Sequence, residues 1–356
     1  MPKPAAARRV TIVDVARHAG VSVTAVSKVL RNAYGASAEM QAKVRKAIAE
    51  LEYRPHASAR GMRGQTYTIG VMLPNIRNPF FADVLDGATE ILDEAGYQVL
   101  IGPGSNGEAA EAHVTENMID HSMDGLILVA PVSSRRHLDH VAGRVPTVIV
   151  GRHGRSAGYD SVADDDLAGA ALVVNHLADL GHRRIAHIEH LERDRDRIAE
   201  MPNAVRAEGY RLAMRARGLE QYIDIASTSY TQKGGHLGAK QLLERKHPPT
   251  AIFAGADIVA MGVMQALADA GLAVPDDIAV AGYDNTMFAA FAPVGLTSVD
   301  QGGRQMGRNA ARLLLDRTAD HSRTATHMKI SPTLVPRSTT APPHGAVTPD
   351  RAPSDS

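Results

Sequence analysis

Apolar positions follow two different rhythms along this chain, and the change between them comes near residue 67. In TIVDVARHAGVSVTAVSKVLRN, residues 11–32, Val15, Ala19, Val21, Val26 and Val29 fall on one seam at helical spacing. The spacing predicts two short helices joined by a tight turn. Ala16 supplies the small side chain needed where the helices approach, and Gly20 sits in the turn, where glycine tolerates a positive φ. Thr11 with Asp14 three residues on is a capping-box pattern, and Ser22 is placed to cap the second helix. Met40, Val44, Ala47, Ile48 and Leu51 predict a third helix from Ser37, ended at Tyr53-Arg54-Pro55.

From Tyr67 the pattern alternates. TIGVMLP, YQVLIG, DGLILVAP and TVIVG read as strands; FADVLDGATEILDEAGY and EAHVTENMIDHSM read as helices. After Asp164 the alternation restarts with helix LAGAALVVNHLADLG, strand RIAHIE, helices RAEGYRLAMRARG and GGHLGAKQLLERK, strand TAIFAG, helix IVAMGVMQALADAG and strand IAVAGYD. A last helix is RQMGRNAARLLLDR. Two such runs imply two doubly wound lobes with parallel sheets. The expected fold class is therefore an N-terminal all-α helix-turn-helix head plus an α/β receptor domain. The expected boundaries are a head over 1–55, a linker, HASARGMRGQT, over 56–66, and a receptor over 67–340. Within the receptor, lobe 1 takes about 67–162 plus 299–325 and lobe 2 about 163–298 plus 326–340. A Pro-, Ser-, Thr- and Asp-rich tail over 341–356 is expected to be disordered.

Charge sharpens this division. Net charge over the 356 residues is zero, yet residues 1–65 carry 12 Lys and Arg against 4 Asp and Glu, and the remainder is acidic by the same margin. A basic head on an acidic body suits a DNA-binding module on a soluble receptor. A helix-turn-helix reads bases with its second helix. With the seam buried, Ser22, Val23, Thr24, Ser27, Lys28 and Arg31 are expected to point outward. MPKPAAARRV lacks the apolar core of a secretory signal, no segment suits a membrane span, and cysteine is absent. The expectation is a cytoplasmic protein with no membrane partner.

Three patterns invite other readings. Gly102-Pro-Gly-Ser-Asn-Gly107 matches a dinucleotide fingerprint, but Asp124 opens the next strand instead of ending it, so the ribose partner is misplaced. His182, His187 and His190 straddle one strand and need not converge on a metal. Asp164-Asp165-Asp166 suits an interlobe crossover and a helix N-terminus. No nucleophile, base and orienter stand at a recognisable spacing, so no enzyme, cofactor or metal site is expected.

The chain resembles the lactose-repressor (LacI/GalR) family of transcription regulators over nearly its whole length. TIVDVARHAGVSVTAVSKVLRN is similar to its DNA-binding signature and AIAELEYRPHASARGM to its third helix and hinge. NPFF with AGY, LGHRRIAHI, PPTAIFAGAD, GLAVPDDIAVAGYDN and LTSVDQ resemble its receptor landmarks in order. The resemblance implies a homodimer on a palindromic double-stranded operator, a receptor of two periplasmic-binding-protein-like lobes, and a small effector between them. It also implies a hinge helix in the minor groove. It places Val23, Thr24 and Lys28 at base-reading positions, with Ala25 where the family usually has Thr. Met62 stands where a Leu wedge is usual, preceded by Gly61 and flanked by Arg60 and Arg63 for phosphates. The candidate DNA-binding set is Thr11, Ser22, Val23, Thr24, Ser27, Lys28, Arg31, Arg60, Met62 and Arg63.

Ligands of such lobes sit outside the carboxyl ends of the strands. That nominates Asn78 and Phe80, Arg152, Asp257 and Asp284; the family places an effector-holding Arg at Arg206, with Arg197 as a rival. Paired carboxylate and guanidinium groups suit polyol hydroxyls, and Phe80 offers a stacking face. Ala256 replaces a frequent Asn, and aromatics at 4% argue against heavy stacking. The effector stays open between sugar, sugar phosphate and nucleoside. The expected function is a sequence-specific transcription regulator, a repressor, whose operator affinity follows effector binding. The competing classes are a solute-binding receptor without a DNA role and an enzyme on a doubly wound fold.

Overall fold

A computed structural model describes residues 10–30, 36–53, 65–104, 107–190 and 199–344. Its packing divides the chain between Thr66 and Tyr67 into two compact units. Of the tail expected over 341–356, residues 341–344 are described, with His182 Nε2 donating to the Ala341 carbonyl at 2.8 Å, and 345–356 lie outside the described residues.

In the first unit α1 (Ile12–Ala19), α2 (Val23–Leu30) and α3 (Ala38–Glu50) enclose one small core. Thr11 and Asp14 close the capping box reciprocally: the Thr11 N–H donates to Asp14 Oδ2 at 2.9 Å and its hydroxyl accepts from the Asp14 N–H at 3.4 Å. Gly20 takes the left-handed conformation at φ 65°, which lets Val21 turn back toward α2. Val15, Val26 and Val44 are wholly buried, one from each helix, so each helix depends on the other two for its apolar face.

The second unit holds two six-stranded sheets built on one plan. The first orders β2 (Gln98–Pro103), β1 (Thr68–Leu73), β3 (Gly125–Val129), β4 (Thr147–Val150), β5 (Asp160–Asp164) and β11 (His327–Ile330). The second orders β7 (Asp224–Thr228), β6 (Ile185–His190), β8 (Ala251–Ala254), β9 (Ala279–Tyr283), β10 (Thr297–Asp300) and β12 (Thr333–Val335). All pairings are parallel except β10 with β12. Helices α4 (Pro79–Glu94), α5 (Glu108–Asp120), α6 (Arg135–Ala142) and α12 (Gly303–Ala319) accompany the first sheet. Helices α7 (Asp166–Asp179), α8 (Pro202–Ala216), α9 (Gln232–Leu243), α10 (Asp257–Asp269) and the short α11 (Met287–Ala290) accompany the second.

The lobe boundaries differ from the sequence expectation. Residues 326–340 were assigned to the second lobe, yet β11 pairs with β5 in the first. Asp160 explains this: its buried carboxylate accepts from Arg317 Nε at 2.7 Å, Arg323 Nη1 at 2.9 Å and the Thr326 N–H at 2.6 Å, stapling the chain to the first sheet. Residues 163–164 stay with β5 and 299–300 with β10. The crossovers are extended backbone that prolongs a strand, so no change of period marks them. β7 also went unread between two helices, because it is a partly exposed edge strand with few apolar residues.

Each lobe contains one pair of helices crossing on reciprocal glycines. A methyl at Gly87 would overlap the Arg304 carbonyl, and one at Gly307 would overlap that of Val84, so α4 and α12 touch backbone to backbone. Gly235 faces the Val259 carbonyl and Gly262 that of Gln232, repeating the device between α9 and α10. Gly307→Ala is expected to lower receptor stability by about 1–3 kcal/mol in urea denaturation, the usual cost of overpacking. Gly143→Ala, whose methyl would lie 3.5 Å from the nearest backbone oxygen, is expected to stay within about 0.5 kcal/mol.

Candidate functional site

On the head, α2 presents Ser22, Val23, Thr24 and Lys28 to solvent. Ser22 uses its hydroxyl to cap α2, accepting from the Ala25 N–H at 3.1 Å, and Thr11 is committed to its capping box. Ser27 corrects the expectation: it is 6% exposed and faces inward beside Val26, because a short helix held by two neighbours buries more than its apolar seam. Arg17, Lys43 and Lys46 pair with Asp14, Glu39 and Glu50. Lys28 has no such pair among the described residues, which leaves its ammonium available to a base or phosphate. Arg31, Arg60, Met62 and Arg63 lie outside the described residues, as does Arg197.

In the receptor a cavity of about 810 Å³ opens between the lobes at the carboxyl ends of both sheets. Of the effector candidates, Asn78, Phe80, Arg206 and Asp284 line it. Asn78 caps α4, accepting from the Phe80 N–H at 3.1 Å, and its amide donates across the cleft to Asp284 Oδ2 at 3.2 Å. Gln301, at the second crossover, donates to Asp284 Oδ1 at 2.5 Å. Asp284 follows β9 with φ 114°, a strained conformation for a residue with a side chain. Burial, and then the charge of Asp257, hold its carboxyl well above the usual range.

Arg206 is nearly inaccessible and firmly held. Its Nε lies 2.8 Å and its Nη2 2.7 Å from Asp166 Oδ1, its Nη1 donates to the Gly255 carbonyl, and its guanidinium stands 3.5 Å over the Tyr283 ring. Burial opposes the charge on Asp166, but Arg206 and His153, 2.8 Å away, bring its carboxyl below the usual range. The Tyr283 hydroxyl donates to Asp164 Oδ2 at 2.5 Å. Burial, then the neighbouring Asp166, push Asp164 up to about 7. His153, Asp164 and Asp166 offer ligand atoms within 4.8 Å of one another, but the Arg206 guanidinium already supplies the positive charge there.

Two nominated residues do not reach the cavity. Arg152 stands behind the wall, donating from Nη1 to the carbonyls of Pro131 and Ser133 at 3.1 and 2.6 Å and pairing with Glu200. Asp257 lies beneath the floor, accepting from the Thr286 N–H and hydroxyl and the Ser298 hydroxyl at 2.6–2.9 Å. Strand-end position nominated both; their direction follows from partners distant in sequence. The histidines do not converge: His187 donates to the Phe253 carbonyl inside the second core, His182 contacts Thr250, and His190 accepts from the Tyr230 N–H. The Asp124 carboxylate accepts from the Tyr67 N–H at 2.7 Å.

Residues 11–56 match the family of bacterial regulatory proteins, lacI family, and residues 174–340 the periplasmic binding protein-like domain. The chain is 34% identical over 331 residues to the ribose operon repressor of Escherichia coli K12, covering 92% of this chain and 98% of that protein. This chain belongs to the LacI family. It is 33% identical to catabolite control protein A of Priestia megaterium over 86% of this chain and 91% of that one. A lac repressor dimer bound to operator and the anti-inducer ONPF superimposes with a TM-score of 0.79 at 25% identity, covering 94% of this chain and all of that one. A LacI-family regulator from Enterococcus faecium with bound ribose gives 0.67 at 27%, covering 77% and 99%. As a LacI-family member, the protein is a DNA-binding transcriptional repressor controlled by a ligand, and not an enzyme.

One cavity residue of this LacI-family receptor escaped the sequence reading. Tyr230 precedes α9, its ring 5.4 Å from that of His190, and its hydroxyl is buried with no hydrogen-bond partner among the described residues. It abuts Gly255 so closely that a methyl there would overlap it. Its signal was weak, a lone aromatic in a polar stretch. A buried hydroxyl without a partner is costly. Tyr230→Phe removes that hydroxyl and is expected to leave the thermal midpoint of the free protein unchanged or higher. On the head, Lys28→Ala is expected to cost operator affinity about 1–3 kcal/mol, read by fluorescence anisotropy.

Proposed function

We propose that this regulator binds a palindromic operator as a homodimer in the cytoplasm and that a sugar-like effector in the interlobe cleft sets its affinity. The observation that carries the reading is the Asn78–Asp284 hydrogen bond, which joins the two lobes across the cavity wall. A polyol that takes over Asp284 replaces that bridge with its own hydroxyls, and so favours one lobe arrangement over another. The relative named for the ribose operon and the neighbour solved with ribose support a sugar. Exposed Met287, Phe288 and Phe291 on the second lobe support a self-association surface, since contiguous exposed apolar groups mark contact sites. Val23, Thr24 and Lys28 are the proposed base readers, with the head over 1–55, the linker over 56–66 and the receptor over 67–340.

The competing reading, a solute receptor without a DNA role, leaves the basic, separately packed head unexplained. Selecting operator DNA from a random pool, then screening sugars, sugar phosphates and nucleosides for altered binding, tests the proposal. Operator affinity is expected to fall steeply with salt. Asp284→Asn is expected to bind the operator like the wild type while its effector affinity falls at least about tenfold, about 1.4 kcal/mol. Retention of the full effector response in that variant would remove the cleft assignment.

A further inference from the structure

Three arginines are buried among the described residues, Arg152, Arg206 and Arg317, at 2–3% exposure. A buried guanidinium needs a carboxylate beside it, because an unpaired buried charge is strongly destabilising. Two of the three find one within their own lobe. Arg317 of α12 pairs with Asp160 of β5 in the first, and Arg206 of α8 with Asp166 of α7 in the second. Arg152, just after β4 in the first lobe, does not. Its own lobe holds Glu111, but that carboxylate is committed to the Val132 and Ser133 N–H groups and the Ser133 hydroxyl at 2.7–3.0 Å. The carboxylate bonded to Arg152 comes from the second lobe: Glu200, just before α8, accepts from Arg152 Nε at 3.3 Å and Nη2 at 3.2 Å.

The second lobe grips the segment carrying Arg152 at two further points. The His153 N–H donates to the Glu200 carbonyl at 2.9 Å, and His153 Nε2 lies 2.8 Å from Asp166 Oδ2. Gly154 leaves room for the Glu200 carboxylate, since a methyl there would overlap Glu200 Oε2. On its other side Arg152 Nη1 donates to the Pro131 and Ser133 carbonyls at 3.1 and 2.6 Å. Those carbonyls belong to the loop between β3 and α6, the same loop whose N–H groups bind Glu111. Charged side chains therefore hold this loop by its donors and its acceptors alike. Val132 of the loop and Gly151 line the cavity from the first lobe; Met201 and Pro202, next to Glu200, line it from the second.

We infer that Arg152 and Glu200 are positioning residues that form an interlobe latch: seating the Glu200 carboxylate on Arg152 holds the lobes together and fixes the Pro131–Ser133 wall of the cavity in the same step. The bearing of the latch on ligand binding rests on the cleft being the effector site. Parting the lobes would strand the Arg152 guanidinium in the first lobe without its carboxylate. A guanidinium that lost that partner would no longer be held against the Pro131 and Ser133 carbonyls, so the loop would loosen with it. The latch thus sets how readily the cleft opens, and a ligand that favours the closed arrangement draws on it.

Hydrogen–deuterium exchange of the ligand-free, full-length protein, read by mass spectrometry, tests the latch. Two variants break it differently. Glu200→Ala removes the carboxylate, whereas Gly154→Ala keeps both charges and displaces the carboxylate from its seat. In each, exchange over residues 130–134 and 151–154 is expected to rise at least about tenfold, while β8 and β9 in the second core stay within about twofold of the wild type. Glu116→Gln, which removes an exposed ion pair with Arg144 inside the first lobe, is expected to change neither segment. Wild-type exchange at both segments in Glu200→Ala overturns the inference. So does a rise of similar size throughout the receptor, which reports general destabilisation. A rise at 151–154 with 130–134 unchanged overturns the coupling to the cavity wall. The measurement needs no ligand, so the two readings fail separately: a sugar screen without a binder sinks the cleft assignment and leaves the latch, and a flat exchange profile sinks the latch and leaves the cleft assignment.

Discussion

The Arg206–Asp166 ion pair is the interaction on which the receptor depends. Asp166 opens α7 at the first crossover between lobes, and Arg206 reaches it from α8. The same guanidinium holds the carbonyl after β8 and covers the Tyr283 ring at the end of β9. One side chain thus ties two helices and the ends of two strands at the cavity wall. Both groups are almost fully buried, so loss of either leaves an uncompensated charge at about 3–5 kcal/mol. Such a pair contributes less net stability than geometric definition of the cavity wall.

Around that point each lobe is tightly packed in itself. The reciprocal glycines bring α4 against α12 and α9 against α10 at backbone distance, leaving little room for sliding within a lobe. Asp160 clamps β11 to the first sheet, so the chain's last crossing is short. Between the lobes run three crossover segments, the Asn78–Asp284 hydrogen bond, the Arg152–Glu200 ion pair and the His153–Asp166 contact. A ligand that contacted both walls would act on the angle between the lobes, and under the proposed function linkage would carry the effect to the operator.

The cavity also concentrates conflicting electrostatics. Asp164 and Asp166 share one arginine, and burial with mutual repulsion lifts Asp164 to about 7 while Asp166 keeps the charge. Burial, and then the charge of Asp257, raise the Asp284 carboxyl above the ordinary carboxylate range.

Much of this was legible in the residues alone. The helix-turn-helix was readable because capping and seam positions act within a few residues: Thr11 with Asp14, Gly20, and Val15 with Val26. The alternating lobes were readable because fully buried strands such as GLILV and TVIV leave continuous apolar runs. Ser27 was not, since its burial comes from packing among three helices. Nor was the place of β11, set by Asp160 from over 160 residues away. Among the effector candidates, strand-end position selected Asn78, Asp284, Arg152 and Asp257 alike. Tertiary structure turned the first two into the cavity and the other two away from it. Local periodicity and charge determined what kind of protein this chain makes. Which side chains meet the ligand was decided by partners far apart in sequence, because a polar group in a wall points toward whichever neighbour satisfies it.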